Sequence, residues 1–269
     1  MRPAALPAAT LTALLILAPP ASAGIVEDCL QDRDPGLNVS ACTAVIDSGQ
    51  WQGKELAAAY NNRGIAHGIL GDSKRAVEDF GQALGLDPDN AHYFLQRGLA
   101  YRDLGKNRRA LKDFSRTLRL DPDSVVAYIN RGLAFRDLDN PNRAVKDFDQ
   151  VLRLDPDNAP AYNNRAWTLY YWRRYAEALG DAERALALSP GNPAALDTRA
   201  HVLAALGRTG EAVAEFERAM QAGGGTFVRM YQQALAKHGH YRGAVDGVYG
   251  APVRAALAAC LEAGCRVVE

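Results

Sequence analysis

The chain repeats itself every 34 residues, and this period restricts its fold more than any other feature. A segment built around a proline recurs as LDPDN at 86–90, LDPDS at 120–124, LDPDN at 154–158 and LSPGN at 188–192. An alanine series keeps the same offset, at Ala76, Ala110, Ala144, Ala178 and Ala212. An arginine followed by a small residue recurs from Arg63-Gly64 to Arg199-Ala200. These series predict a tandem array of one structural unit.

Each unit carries an aromatic residue, a small residue and a second aromatic, then Ala-x-x-x-Phe and a proline. The second full repeat shows them as Phe94, Gly98, Tyr101, Ala110, Phe114 and Pro122. This pattern resembles the tetratricopeptide repeat family over 57–90, 91–124, 125–158, 159–192 and 193–226. The last two repeats depart from it, with Ala182 in place of the phenylalanine and Gly224 in place of the proline. The resemblance implies an all-α fold, a right-handed α-solenoid of helix pairs with a ligand-binding concave face.

The repeat pattern has a direct physical reading. Small residues let two antiparallel helices approach closely, the aromatics fill the space beside them, and proline ends the second helix. Arginine at repeat position 7 recurs together with an acidic residue at position 23, namely Asp79, Asp113, Asp147, Asp181 and Glu215. We therefore predict a ladder of arginine–carboxylate pairs along the helix interfaces, with a structural role.

The first 23 residues have the features of a secretory leader. Arg2 precedes an apolar stretch at 11–18, and Ala21-Ser22-Ala23 is an A-x-A cleavage signal. We predict a signal peptide cleaved after Ala23, and therefore an exported, periplasmic protein. The apolar stretch is short and no later segment is apolar enough to span a bilayer, so we expect no stable membrane insertion.

Four cysteines form two pairs that are close in sequence, at opposite ends of the chain. In an exported protein this arrangement predicts the disulfides Cys29–Cys42 and Cys260–Cys265, whereas a metal site or a nucleophile is the alternative. Extending the 34-residue frame backward places Cys29 and Cys42 at repeat positions 7 and 20. Residues 24–56 are therefore predicted to be a degenerate, disulfide-stapled N-terminal cap repeat.

Gly223-Gly224-Gly225 interrupts the helical pattern and predicts a hinge or linker. Residues 227–269 then resemble the peptidoglycan-binding-like family, through Tyr231, Gln232, Leu235 and the loop residues Tyr241, Asp246 and Tyr249. Pro252 and the missing closing Phe-Gln segment depart from that family. The resemblance implies a small helical module with cell-wall affinity, in which Tyr241, Asp246 and Tyr249 are the candidate loop residues. The alternative is that these residues only hold the loop in shape.

The resemblance to tetratricopeptide repeats also indicates which residues line the groove, chiefly repeat positions 2, 5, 9, 12 and 13. Arg102 and Arg136 occupy position 12 of their repeats. Trp167, Tyr170 and Tyr171 occupy positions 9, 12 and 13 of the fourth repeat, and together they are a candidate binding platform. The alternative is that these rings pack against the neighbouring repeat or the C-terminal module.

Nothing in the sequence has the pattern of a catalytic site, so no catalytic residue, metal or cofactor is predicted. His238-x-His240 resembles half of a metal site, but no third ligand is nearby in sequence. The 31 basic and 31 acidic residues balance, which argues against nucleic-acid binding. We predict a non-enzymatic scaffold that holds a protein or peptide in its groove, with possible attachment to peptidoglycan. The alternatives are an adaptor whose C-terminal module is only a cap, and a cell-wall hydrolase.

Overall fold

The computed structural model describes residues 26–29, 34–265 and 267, and every regular element in this part of the chain is a helix. The predicted signal peptide lies outside the described residues. The described helices form two compact units that meet in sequence between Ala134 and Phe135.

In the first unit, consecutive helices pack in chain order. A helical turn at 26–29 precedes α1 (Pro35–Asp47), α2 (Gly53–Ile69), α3 (Ser73–Leu86), α4 (Ala91–Asp103), α5 (Asn107–Leu120) and the first part of α6 (Val125–Asp137). α1 packs on α2, α2 on α3, α3 on α4 and α4 on α5. Each repeat is thus an antiparallel helix pair, as the 34-residue period predicts.

The second unit continues the same arrangement after the end of α6. It contains α7 (Pro141–Leu154), α8 (Ala159–Tyr171), α9 (Tyr175–Leu188), α10 (Pro193–Ala205), α11 (Thr209–Lys237) and α12 (Ala251–Glu262). Each helix packs on the next, and α10 also contacts α8. The predicted fold class, an all-α solenoid of tandem helix pairs, is therefore confirmed. In the described residues, no helix is long and apolar enough to cross a membrane.

Glycine at repeat position 8 lets the two helices of a repeat come close together. A Cβ atom built on Gly98 would lie 2.6 Å from Cε1 of Phe114, and one on Gly64 would lie 2.9 Å from Cε1 of Phe80. Phe114 and Ala110 are completely buried in this contact. The second helix is therefore close enough for its phenylalanine to take the space of a missing methyl group.

The asparagine that ends the LDPDN segment caps the next helix. Asn90 Oδ1 accepts from His92 N at 3.1 Å, Asn158 Oδ1 from Ala161 N at 2.9 Å, and Asn192 Oδ1 from Ala194 N at 3.0 Å. These bonds satisfy backbone donors that the first turn leaves unpaired. The preceding helix thus ends at the leucine of this segment, two residues before its proline, and the next helix begins after its asparagine. Only the role of the proline was predicted from the sequence.

The N-terminal end of the described chain is held by a disulfide. Cys29 is bonded to Cys42 of α1, and their Cα atoms are 4.7 Å apart. Both cysteines are buried in a cluster with Val45 and Ala59. Asn38 Nδ2 also donates to the Cys29 carbonyl at 3.0 Å. The short turn at 26–29 is therefore fixed to α1 by a covalent bond and by hydrogen bonding.

The three glycines at 223–225 form a kink in α11 and not an extended linker. Gly224 has φ 66° and ψ −162°, whereas the residues on both sides are helical. The helix after the kink packs back on the fifth repeat, so that Tyr231, Leu235 and Leu257 join Phe216 and Met220 in one buried cluster. The residues from 227 onward therefore share a hydrophobic core with the last repeat.

Candidate functional site

The predicted ladder of arginine–carboxylate pairs is present in both units. Arg97 donates through Nε and Nη2 to the two carboxylate oxygens of Asp113, at 2.8 and 2.9 Å. The corresponding contacts measure 2.8 Å for Arg63–Asp79, 2.6 Å for Arg165–Asp181 and 2.6 Å for Arg199–Glu215. Arg131 and Asp147 fall in different units. These pairs confirm the structural interpretation of the periodic arginines.

Each of these arginines except the last also lies over an aromatic ring three residues earlier. The guanidinium carbon is 5.5 to 5.6 Å from the ring centroid in the pairs Arg63–Tyr60, Arg97–Phe94, Arg131–Tyr128 and Arg165–Tyr162. The hydrogen bonds that Arg97 donates to Asp113 raise the pKa of Arg97, and those that Arg165 donates to Asp181 do the same for Arg165. The guanidinium groups are therefore engaged within the scaffold and are poor candidates for ligand binding.

The fourth repeat presents an aromatic stripe. Asn163, Trp167 and Tyr171 are four residues apart on α8, so they share one side of that helix. The Trp167 ring lies 5.2 Å from the ring of Tyr171, edge to face. Tyr171 is 47% exposed, whereas Tyr170 stacks on Trp167 at 5.3 Å and is only 9% exposed. Of the three residues of the predicted platform, Tyr171 is therefore exposed, Trp167 is half-buried, and Tyr170 is buried and packs against Trp167.

Two side chains of α10 extend this stripe. The His201 ring lies 5.1 Å from Trp167, edge to face, and Asp197 precedes it by one helical turn. We call Asn163, Trp167, Tyr171, Asp197 and His201 the aromatic face. Tyr231 donates a hydrogen bond from its hydroxyl to Asp197 Oδ1, which ties this face to the helix after the kink. Burial raises the pKa of Tyr231, and the Asp197 carboxylate raises it further.

The aromatic face contains two buried polar atoms that lack a hydrogen-bond partner among the described residues, Asn163 Oδ1 and His201 Nε2. His201 Nδ1 is 2.9 Å from the Asp197 carbonyl oxygen. Since a carbonyl can only accept, this contact assigns a proton to Nδ1, and in the neutral form of the ring Nε2 is then an acceptor. The face thus contains two unsatisfied acceptors, both buried, together with the exposed ring of Tyr171. Asn163 occupies repeat position 5, which the sequence predicts to line the groove, but nothing in a sequence shows which polar atom stays unpaired.

The two predicted groove arginines take part in other contacts. Arg102, in the first unit, donates from Nη1 to Asn130 Oδ1. Arg136, in the second, has its Nη2 atom 3.4 Å from Asp137 Oδ1. The contacts of both arginines are therefore with neighbouring polar side chains.

The loop of the C-terminal module is organised around Gln232, which is completely buried. Its amide nitrogen donates to Asp246 Oδ1 at 2.9 Å and to the Val248 carbonyl at 3.2 Å, and its Oε1 accepts from Gly247 N at 2.8 Å. Asp246 Oδ1 also accepts from Val248 N at 2.9 Å. These hydrogen bonds lower the pKa of Asp246, that from Gln232 most strongly. Asp246 therefore holds the loop in shape.

The two loop tyrosines are also engaged. Tyr241 donates from its hydroxyl to the Ala244 carbonyl at 3.0 Å. Burial, followed by a hydrogen bond with Glu217, raises the pKa of Tyr249 to about 12. The large apolar side chains that this loop exposes are instead Val245, at 42%, and Val248, at 65%. The residues that carry the sequence resemblance thus have contacts within the protein, Tyr241 inside the loop and Tyr249 with Glu217 of the fifth repeat.

The helix-pair repeats and their position-specific residues define a class of protein, and comparison with known families identifies it. Family models of the tetratricopeptide repeat match residues 57–90, and also 95–159, 129–193 and 163–225. Together these matches cover more than half of the chain. The chain therefore belongs to the tetratricopeptide repeat family. No sequence match is found among curated proteins.

Solved structures agree with this assignment at the level of the fold. A tetratricopeptide repeat protein from Parabacteroides merdae ATCC 43184 is 20% identical, with a TM-score of 0.73 over 90% of this chain and 98% of that one. MamA from Desulfovibrio magneticus RS-1 is 18% identical, with a TM-score of 0.58 over 62% of this chain and 94% of that one. YrrB, described as a tetratricopeptide repeat protein with an unusual peptide-binding site, is 20% identical, with a TM-score of 0.55 over 68% and 93%.

Proposed function

We propose that this protein is an exported, non-enzymatic scaffold that binds an extended segment of a partner protein on its aromatic face. The observation that carries the proposal is the exposed ring of Tyr171 beside the unpaired acceptors Asn163 Oδ1 and His201 Nε2. Leaving buried acceptors unpaired costs about 1–3 kcal/mol each, and a partner segment that displaces the side chains covering them would satisfy them. Proteins of this family use such surfaces to hold peptides, and the structural neighbour YrrB is described as having a peptide-binding site.

The chemistry of the face indicates what kind of segment would bind. Unpaired acceptors require N–H or O–H donors, which the backbone of an extended peptide supplies at regular intervals. The Asp197 carboxylate and the rings of Trp167 and Tyr171 favour a cation, because aromatic faces attract guanidinium and ammonium groups. We therefore propose an extended segment that carries an arginine or a lysine.

Peptides selected on the full-length protein from a displayed library test this proposal. The variant Trp167→Ala/Tyr171→Ala should bind the selected peptides at least about tenfold more weakly, since buried aromatic anchors contribute 2 kcal/mol or more to binding. Trp172→Ala is the matched control, because Trp172 is 38% exposed in the same repeat but stacks on Arg174 and lies outside the aromatic face. Equal affinities for the double variant and the control would refute the proposal.

Export is proposed on three grounds. The leader at 1–23 carries a cleavage signal, the described residues contain no helix suited to span a membrane, and both cysteine pairs are disulfide-bonded. Disulfides persist in oxidising compartments such as the periplasm. Mass spectrometry of the mature protein from periplasmic extract should give an N-terminus at Gly24, whereas a retained leader would contradict export.

Attachment to the cell wall is a second proposed function of the C-terminal module. It is favoured by the resemblance of residues 227–269 to peptidoglycan-binding-like modules, and by the rigid loop on which Val245 and Val248 are exposed. The wild-type protein should sediment with purified sacculi, whereas the variant Val245→Ser/Val248→Ser should remain in the supernatant. If the wild-type protein also remains in the supernatant, the C-terminal module does not bind the cell wall. The protein is then an adaptor whose C-terminal module is only a cap.

A further inference from the structure

The last two helices of the second unit end in the same way, and their ends meet. Gly239 follows α11 with φ 77° and Gly264 follows α12 with φ 73°, a conformation that glycine adopts readily. After these turns, His240 N donates to the Leu235 carbonyl at 2.9 Å and Cys265 N donates to the Cys260 carbonyl at 2.9 Å. The backbone thus fixes the positions of His240 and Cys265.

These turns bring three metal-ligating side chains together. A ring nitrogen of His240 and the sulfur atoms of Cys260 and Cys265 all lie within 4.8 Å of one another. Cys260 is completely buried, whereas Cys265 and His240 are half-buried. Within the described residues, this is the only group of three such side chains. His240 is 20 and 25 residues away from the cysteines in the chain, so their proximity could not be predicted from the sequence.

We propose that reduction of the Cys260–Cys265 disulfide converts this group into a zinc site with His240 as its third ligand. Zn²⁺ binds thiolate sulfur at about 2.3 Å and imidazole nitrogen at about 2.0 Å in tetrahedral geometry. Ligand atoms of such a site lie about 3.3–3.8 Å from one another. Once the S–S bond is broken, small side-chain rotations reach these separations, because the Cα atoms of the two cysteines are 5.2 Å apart.

The chemistry requires a reductant of the dithiol class. The dithiol transfers two electrons and two protons, the Cys260–Cys265 bond breaks to give two thiols, and the dithiol becomes a disulfide. Zinc binding then releases the two thiol protons, and neutral His240 donates its nitrogen lone pair. The half-buried side of the site leaves the fourth position to water. The module would thus hold a disulfide in an oxidising environment and a metal in a reducing one.

Zinc titration of the full-length protein tests this proposal. The protein is reduced with a dithiol, freed of it under anaerobic conditions, and titrated with Zn²⁺ against a chromogenic chelator, beside the oxidised protein. The reduced protein should bind one zinc ion and the oxidised protein none. His240→Ala should raise the dissociation constant at least about tenfold, because even the loss of a residue that only orients a zinc ligand costs that much.

Two controls make the result specific. His238→Ala removes the other histidine of the same turn, which is not part of the group, and should leave zinc affinity unchanged. Cys29→Ser/Cys42→Ser removes the other disulfide and should also leave zinc affinity unchanged. Cys260→Ser/Cys265→Ser should abolish zinc binding. Circular dichroism monitors folding in each case. Zinc binding by the oxidised protein, equal affinities for the two histidine variants, or a reduced protein that unfolds without binding zinc would overturn the proposal.

Discussion

At the scale of single residues, the buried polar groups determine where the molecule is held tightly. Tyr231 is completely buried in the core of the second unit, with its hydroxyl bonded to Asp197. Gln232, the next residue, is equally buried and organises the loop at 246–248. Two adjacent residues of α11 thus hold the C-terminal module in place. Tyr231 is bonded to the aromatic face, and Gln232 is bonded to the loop.

Tyr231 should make the protein sensitive to alkaline pH. Its folded-state pKa is raised above the ordinary value of about 10, so its contribution to stability is complete below pH 10 and is lost as pH rises further. Above pH 10 the unfolded chain loses the phenol proton and the folded chain keeps it. The free energy of unfolding should therefore fall by about 1.4 kcal/mol per pH unit from this group.

Urea denaturation between pH 9 and pH 11 measures this effect. Tyr231→Phe lacks the ionisable hydroxyl, so its free energy of unfolding should decline less steeply than that of the wild type. Tyr128→Phe serves as the control, because no comparable burial surrounds that ring. Parallel curves for wild type and Tyr231→Phe would contradict the assigned role.

Some contacts of single residues can be predicted from the sequence, whereas others depend on the folded structure. Arg97 and Asp113 could be paired from the sequence, because both recur with the same period and a helix hairpin brings positions 7 and 23 together. The difference in exposure between Tyr171 and Tyr170 could not be predicted from the sequence, since it depends on the neighbouring helices. The same holds for the unpaired Nε2 atom of His201.

At the scale of elements, each helix pair combines close packing with one charged contact across its interface. The Asp113 side chain is 7% exposed and that of Arg97 is 23% exposed. Water therefore screens this pair only in part, and loss of one partner leaves a poorly solvated charge. Sequence alone predicted the helices and the pairing, but it did not predict that the LDPDN asparagines cap the following helices.

Asp113→Ala should lower the free energy of unfolding by about 2–3 kcal/mol, because Arg97 then loses both of its hydrogen bonds. Arg97→Leu/Asp113→Ala should recover part of this loss, since no unpaired charge remains. Chemical denaturation of both single variants and the double variant gives the coupling energy of the pair. A stability of Asp113→Ala within about 0.5 kcal/mol of the wild type would show that the ladder is not structural.

At the scale of the whole molecule, the first and the last repeat each need another element to cover the apolar face that has no neighbouring repeat. A repeat buries its apolar face only against a neighbour, so a terminal repeat requires another source of stability. At the described N-terminal end this is the Cys29–Cys42 disulfide, which closes a 13-residue separation and contributes about 3 kcal/mol in the chain-entropy view. At the other end, Tyr231, Leu235 and Leu257 cover the fifth repeat.

Deletion of residues 227–269 should therefore destabilise the fifth repeat. Phe216 and Met220 would lose their cover, and exposing two such side chains costs about 3–6 kcal/mol. Hydrogen exchange monitored by mass spectrometry should show faster exchange in α10 and in the first half of α11, with α2 to α5 unchanged. Unaltered protection in α10 would show that the C-terminal residues do not stabilise the array.

Binding of a partner segment on the aromatic face can be measured with the three tryptophans of the chain. Each indole N–H gives its own signal in a proton–nitrogen correlation spectrum. Addition of a selected arginine- or lysine-containing peptide should shift the signal of Trp167 and leave those of Trp51 and Trp172 in place. An unchanged Trp167 signal at a peptide concentration that saturates binding would contradict the claim.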